Sequence, residues 1–160
     1  MNKTIQLGNK VRVSDPCYGN DVWCTGVLEN VKEGRYNVDV LISDEGVWGN
    51  RVKALVVIHT EYKELIDFNE KAPFEVGVDS GQAGIYDENY YKQYHTETDC
   101  FDDWYDEICD LTLSTNLFGT KDDKCVVSRS GFGDGGYDCF ICRNKESQIV
   151  GIKIVFIEEE

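Results

Sequence analysis

The chain has 160 residues, of which 41% are hydrophobic and 12% aromatic, and its formal net charge is −14. This size and composition suffice for a packed core, so we expect a single domain over residues 1–160 rather than a disordered chain. We find no apolar run long enough for a membrane span or an export signal, which predicts a cytoplasmic protein with its seven cysteines reduced. The acidic balance argues against direct nucleic-acid binding, because phosphate contacts favour basic surfaces.

The first half of the chain predicts β-strands, because short β-branched runs alternate with turn residues about every ten positions. These predicted strands are Lys10–Ser14, Val22–Asn30, Tyr36–Ser43 and Gly46–Thr60. Within the third strand, alternating side chains give way to Val40-Leu41-Ile42, so we expect that strand to end buried.

Short strands are also predicted in the second half. Phe74–Val78 and Ala83–Tyr86 are separated by a sharp turn at Asp79-Ser80-Gly81. The chain ends on three further β-like runs, Cys125–Arg129, Tyr137–Arg143 and Ile149–Ile157.

One segment, at about 99–114, has the pattern of an amphipathic helix. Apolar residues recur there at helical spacing while carboxylates fall on the other face. A shorter helical turn is predicted over Asp87–Tyr94. The predicted fold class is therefore α+β, a mostly antiparallel β-sheet domain with one acidic amphipathic helix laid across it.

The negative charge is concentrated in one part of the chain. Residues 1–60 carry seven acids and seven bases, whereas residues 87–110 carry nine acids and one base. More than half of the net charge thus lies in 24 residues. Such a local excess favours a partner with a basic groove.

Three stretches of the sequence resemble motifs of a family of small bacterial and phage proteins known only as a domain of unknown function. They are Val13–Tyr18 (VSDPCY), Val76–Asp87 (VGVDSGQAGIYD) and Ser130–Tyr137 (SGFGDGGY). Family members often continue the third motif with proline and a small apolar residue, where this chain has Asp138-Cys139. The resemblance implies a compact β-rich fold and a bacterial or phage source, and it implies no activity.

Two of these motifs place carboxylates in glycine-rich turns, at Asp79 and Asp134. If the fold brings the two turns together, the carboxylates could hold Mg²⁺ or act as an acid–base pair. The alternative is a purely structural role, because glycine and aspartate both favour tight turns.

The spacing of Cys139 and Cys142 matches zinc and thiol–disulfide motifs. A structural zinc site needs a second pair of ligands, and residues three apart on a strand face opposite sides, so we interpret both as core cysteines. No catalytic signature surrounds His59 or His95, and no catalytic residue is assigned.

We therefore expect a non-enzymatic, phage-associated protein that binds a basic host protein in the cytoplasm of a bacterial cell. It would block the basic groove of a nucleic-acid-handling defence protein, without a cofactor. Like charges at helical spacing destabilise a helix, and a cationic partner would relieve that repulsion. The partner-binding residues on this hypothesis are Asp99, Asp102, Asp103, Trp104, Asp106, Glu107 and Asp110.

The alternative hypothesis is a domain that binds or hydrolyses a nucleotide with a divalent metal such as Mg²⁺, or that sequesters a small phosphorylated ligand. Its ligand-binding residues would be Asp15, Tyr18, Asp79, Ser80 and Asp134. A third alternative is a structural accessory domain whose motifs serve only the fold.

Overall fold

The structure, a computed structural model, describes residues 3–18, 25–62, 67–94, 103–114 and 116–158. Two antiparallel sheets pack face to face in this part of the chain, and two helices cover the outer face of the second sheet. The predicted α+β class with mostly antiparallel strands is confirmed. In chain order the elements are β1 (Lys3–Leu7), β2 (Val11–Ser14), β3 (Gly26–Leu28), β4 (Gly34–Asp44), β5 (Asn50–His59), β6 (Glu70–Val78), β7 (Gln82–Asp87), α1 (Glu88–Tyr94), α2 (Asp103–Thr112), β8 (Phe118–Lys121), β9 (Cys125–Arg129), β10 (Gly135–Arg143) and β11 (Ile149–Val155).

The first sheet has the strand order β1-β4-β5-β11-β10-β6, and the second has the order β3-β2-β7-β9-β8. Side chains from both sheets form one core between them, because alternate residues of each strand point inward. Leu55 of β5 and Ile154 of β11 are paired neighbours that both lie fully buried in this core.

The central strands of the second sheet are buried on both faces. Ile85 and Val126 contact the core between the sheets, whereas Tyr86, Cys125 and Val127 form a second cluster with the helices. This double burial explains why these strands lack a polar face.

A buried ion pair joins the first helix to the second sheet. Arg12 of β2 donates from Nε and Nη2 to the carboxylate of Glu88 at 2.9 and 2.8 Å, and both side chains are only 5% exposed. The guanidinium also lies 5.2 Å from the ring centre of Tyr91 in α1.

No helix among the described residues is both long and apolar enough to cross a membrane.

Most predicted elements are confirmed, and the errors have identifiable causes. The helix predicted at about 99–114 is α2, although residues 99–102 lie outside the described ranges, and the helical turn over Asp87–Tyr94 is α1. The predicted strand Val22–Asn30 is described from residue 25 onward and contains β3. Two short strands, β1 and β8, have no counterpart among the predicted elements.

The hairpin of β4 and β5 corrects two expectations. Residues Gly46–Trp48, predicted as part of a strand, form a 3₁₀ turn at the hairpin tip. The end of β4 is not buried, since Leu41 is 36% and Ile42 47% exposed. The hairpin extends beyond the edge of the core, so its apolar end has no opposing sheet to pack against.

The two cysteines of the Cys139-x-x-Cys142 segment occupy different environments on β10. Cys139 is fully buried in the core, as predicted, whereas Cys142 is only half-buried and the interpretation of it as a core cysteine is wrong, because residues three apart on a strand face opposite sides. Burial raises the pKa of the Cys139 thiol to about 12, with a smaller contribution from Asp138.

We expect iodoacetamide to alkylate Cys142 in the folded protein and to leave Cys139 unmodified, because the thiolate is the reacting form and Cys139 stays protonated and enclosed. Tandem mass spectrometry of the peptide that contains both residues measures each site. Protein alkylated in denaturant is the control and should be modified at both. Equal modification of the two cysteines in folded protein would contradict the assigned burial.

Candidate functional site

A fully buried carboxylate connects the first two motifs. Asp15 follows β2 and is 0% exposed. Its Oδ1 accepts hydrogen bonds from the Cys17 amide at 2.8 Å and the Ser80 hydroxyl at 2.7 Å. Its Oδ2 accepts from the amides of Asp79 and Ser80 at 2.8 and 2.7 Å. Four donors thus surround this carboxylate, and they offset the cost of removing it from water.

The third motif joins the same region through backbone contacts. The Ser130 amide donates to the Gly81 carbonyl at 3.2 Å, and Gly135 of β10 pairs with Val78 of β6. Asp134 and Asp79 lie just beyond that pair, so they leave adjacent strands at the same end of the sheet. Gly133 has a φ of +115°, a conformation that side chains disfavour.

These turns form the wall of a cleft of about 470 Å³. The sequence left open whether Asp79 and Asp134 lie together, and the structure places both on this cleft with Tyr18. Asp15 and Ser80 do not line it, since their polar side-chain atoms bond to each other beneath the turn. The lining residues are Tyr18, Glu75, Gly77, Val78, Asp79, Asp134, Gly135 and Gly136.

The cleft has a strongly acidic lining. Three of its residues, Glu75, Asp79 and Asp134, carry carboxylates, and none carries a basic side chain. The carboxylate of Glu75 crosses Gly136 so closely that a Cβ added there would lie 1.9 Å from Oε1. Such a lining suits a cationic group better than a phosphate.

Glu75 was not foreseen as a lining residue. It lies on β6 two positions before Gly77, and its pairing with Asp138 places it on the outer face of the first sheet. Glu75 and Gly77 occupy alternate positions of a strand, so the sequence does place them on one face. Whether that face lines the cleft depends on the register between β6 and β10.

The helix α2 carries a second group of carboxylates. The residues that face solvent are Asp103, Asp106, Glu107 and Asp110. On the opposite side, Ile108 is 0% and Thr112 1% exposed. The helix is therefore held to the second sheet by its apolar side and presents its acids to water.

Trp104 differs from the other residues assigned to partner binding. It is 4% exposed, and its indole Nε1 donates to the Tyr90 hydroxyl at 2.8 Å. That hydroxyl donates to Asp122 at 2.7 Å. The Trp104 ring therefore packs between α2 and α1 and does not lie on the exposed face of α2.

The helix also contacts the region of the cleft. Tyr105 is hydrogen-bonded to Ser80 and Cys109, and desolvation by burial raises its pKa to about 12. Ser80 is the neighbour of Asp79 in the chain, so α2 contacts the turn that carries one carboxylate of the cleft. At the edge toward β8, Lys121 pairs with Glu107 and partly neutralises it.

Three candidate residues cannot be placed relative to these sites, and His59 lies away from them. Asp99, Asp102 and His95 lie outside the described residues. His59 is 4% exposed, lies between Tyr36 and Tyr62, and occupies the end of the first sheet opposite Asp134. Within the described ranges, no group of three or more His, Cys, Asp or Glu side chains is arranged to hold a metal ion.

A family model described as "Protein of unknown function (DUF4241)" matches residues 8–154. The chain belongs to this family. The match confirms the resemblance inferred from the three motifs and includes every residue that lines the cleft and all of α2. No curated protein and no solved structure matches the chain. A bacterial or phage source stays a prediction.

We expect the substitution Asp15→Asn to lower the free energy of unfolding by about 2–4 kcal/mol, because an amide leaves buried donors without an acceptor. Asp79→Asn is the matched control: its side chain is exposed and only its backbone amide bonds to Asp15. The control should change stability by less than about 0.5 kcal/mol. Urea unfolding followed by circular dichroism measures both, and equal stability of the two variants would refute the role given to Asp15.

Proposed function

We propose that the protein is a non-enzymatic interaction protein that binds the basic groove of a nucleic-acid-handling protein and blocks it. The observation that carries this proposal is the row of exposed carboxylates on α2, Asp103, Asp106 and Asp110, held on a helix whose other side is buried. We further propose that the protein is phage-associated, in line with the bacterial or phage source that the resemblance implies, and that it acts on a defence protein in the cytoplasm of a bacterial host.

The rigid attachment of α2 supports this proposal. Because Trp104 and Ile108 fix the helix against the second sheet, its carboxylates are ordered before a partner arrives, and binding costs little conformational entropy. Grooves that bind nucleic acid carry lysine and arginine residues spaced to meet phosphates. A fixed row of carboxylates can contact the same cations.

The acidic cleft adds a second group of carboxylates to the proposal. Asp79 and Asp134 line it close to the point where Tyr105 of α2 contacts Ser80. A lysine or arginine side chain of the partner fits a cleft that has carboxylates on its walls and the ring of Tyr18 beside them. Electrostatic attraction over the combined surface would speed the encounter with a basic protein.

The triple substitution D103K/D106K/D110K tests the proposal. Bacterial lysate is passed over the immobilised protein, and captured proteins are identified by mass spectrometry. We expect basic nucleic-acid-binding proteins on the unmodified chain, their release by added duplex DNA, and their loss from the triple variant.

The matched control is D39K/E61K/E146K, which reverses three exposed carboxylates on other parts of the surface. It changes the net charge by the same amount, so it separates a local docking surface from a general charge effect. The control should keep the captured proteins. Retention of the same proteins by D103K/D106K/D110K would show that α2 is not the docking surface.

The cleft favours a second candidate function, the binding of a small ligand, because it brings together Tyr18, Asp79 and Asp134 from three distant segments. On this hypothesis the ligand is a nucleotide or another phosphorylated molecule held with a divalent metal, and hydrolysis or sequestration follows. The metal would have to offset the repulsion between phosphate and the acidic lining.

Isothermal titration calorimetry with Mg²⁺, Ca²⁺ and a nucleotide panel tests the second candidate. Binding heat that requires the metal and disappears in D79N/D134N would support it. The variant D39N/E146N serves as the matched control and should bind as the unmodified chain does. The absence of heat with every metal and nucleotide combination would remove this candidate.

A further inference from the structure

Exposed apolar residues are concentrated at one end of the molecule. Among the described residues, seven large hydrophobic side chains are exposed, and five of them form what we call the hairpin-end patch. They are Ile42 (47% exposed), Val47 (97%), Trp48 (66%), Leu113 (66%) and Phe132 (55%). Monomeric proteins rarely leave such a group of large side chains in water without a function.

The five residues are connected through shared neighbours. Arg51 donates from Nε to the Trp48 carbonyl at 2.9 Å, and its guanidinium lies 5.3 Å from the centre of the Phe132 ring. A groove of about 160 Å³ continues from Arg51 to Leu113. Ile42 pairs with Val52, which lines the same groove. The patch therefore combines a projecting tip with an adjacent depression.

The tip is a defined structure. The Glu45 amide donates to the Gly49 carbonyl at 3.0 Å, and the Gly49 amide donates to the Gly46 carbonyl at the same distance. Gly46 and Gly49 have φ values of +66° and +78°, which glycine adopts without strain. Val47 and Trp48 are thus held outward by the turn itself, so an interface there loses little conformational entropy.

The charge around the patch points to a second copy of the same chain as its occupant. Two carboxylates, Asp44 and Glu45, and two guanidiniums, Arg51 and Arg129, lie next to the patch. The charges of these four groups cancel, whereas the chain as a whole carries a net charge of −14. Groups of both signs beside the patch allow two copies to meet there with opposite charges facing each other.

We propose that the protein forms a two-fold symmetric dimer through the hairpin-end patch, in which Val47 and Trp48 of each copy pack against the groove beside Leu113 and Phe132 of the other. With two-fold symmetry, the tip of each copy contacts the groove of the other, so both tips and both grooves are buried by the same kind of contact. In the same arrangement Arg51 and Arg129 of one copy face Asp44 and Glu45 of the other. The proposed contacts use none of the carboxylates Asp103, Asp106 and Asp110, so the dimer stands independently of the function proposed above.

Sedimentation equilibrium over a range of protein concentrations tests this proposal. We expect the unmodified chain to reach twice the mass of one chain as the concentration rises. Trp48→Ser should raise the dissociation constant at least tenfold, since a central aromatic residue dominates most interfaces. The double variant V47S/W48S should be monomeric throughout.

Val27→Ser is the matched control, because Val27 is 37% exposed on β3 and lies outside the patch. It should dimerise as the unmodified chain does. Circular dichroism should give the same spectrum for all variants, since Val47 and Trp48 do not belong to either core cluster. A monomeric unmodified chain at every concentration, or a dimer that persists in V47S/W48S, would overturn the proposal.

Discussion

The buried carboxylate of Asp15 is the constraint on which the candidate site depends. It follows a strand of the second sheet, whereas two of its donors, the amides of Asp79 and Ser80, belong to the turn that follows β6 of the first sheet. A buried charge of this kind is stable only while its donors stay in place. Asp15 therefore fixes the spacing of the two sheets at one end, and that spacing positions Tyr18 and Asp79 around the cleft.

Local sequence patterns were sufficient to predict most of the elements. Burial of one face of a strand or helix produces a periodic pattern of apolar residues in the sequence. Such patterns are present in Tyr36–Val40, which alternates, and in α2, where Trp104 and Ile108 have helical spacing. The strand β8 escaped prediction because it is short and contains Gly119. Only the structure explains that glycine: a Cβ there would lie 2.8 Å from Cβ of Leu111 on α2.

The site could be predicted only in part, because its contacts join distant segments. The glycine-rich turns identify Asp79 and Asp134 as candidate residues in the sequence. That the two lie close together depends on the pairing of Gly135 with Val78, which the sequence does not show. The role of Asp15 as a buried hydrogen-bond acceptor could not be predicted either, because an aspartate can also serve as a ligand or as a turn residue. The helical spacing places Trp104 on the apolar side with Ile108, but the aromatic residues of α1 that cover it come from another segment, so its assignment to partner binding could not be checked from the sequence.

The order of the strands has a consequence for how the folded state forms and persists. Neighbouring strands come from distant parts of the sequence, as in the pairing of Val13 with Ile85 and of Leu55 with Ile154. Chains dominated by such non-local pairings fold slowly, on a time scale of about milliseconds to seconds. The Asp79 and Ser80 amides that bond to Asp15 also come from a distant part of the chain, so these hydrogen bonds are non-local as well. Unfolding has to break these bonds, so the persistence of the native state depends on contacts between segments that are far apart in the sequence.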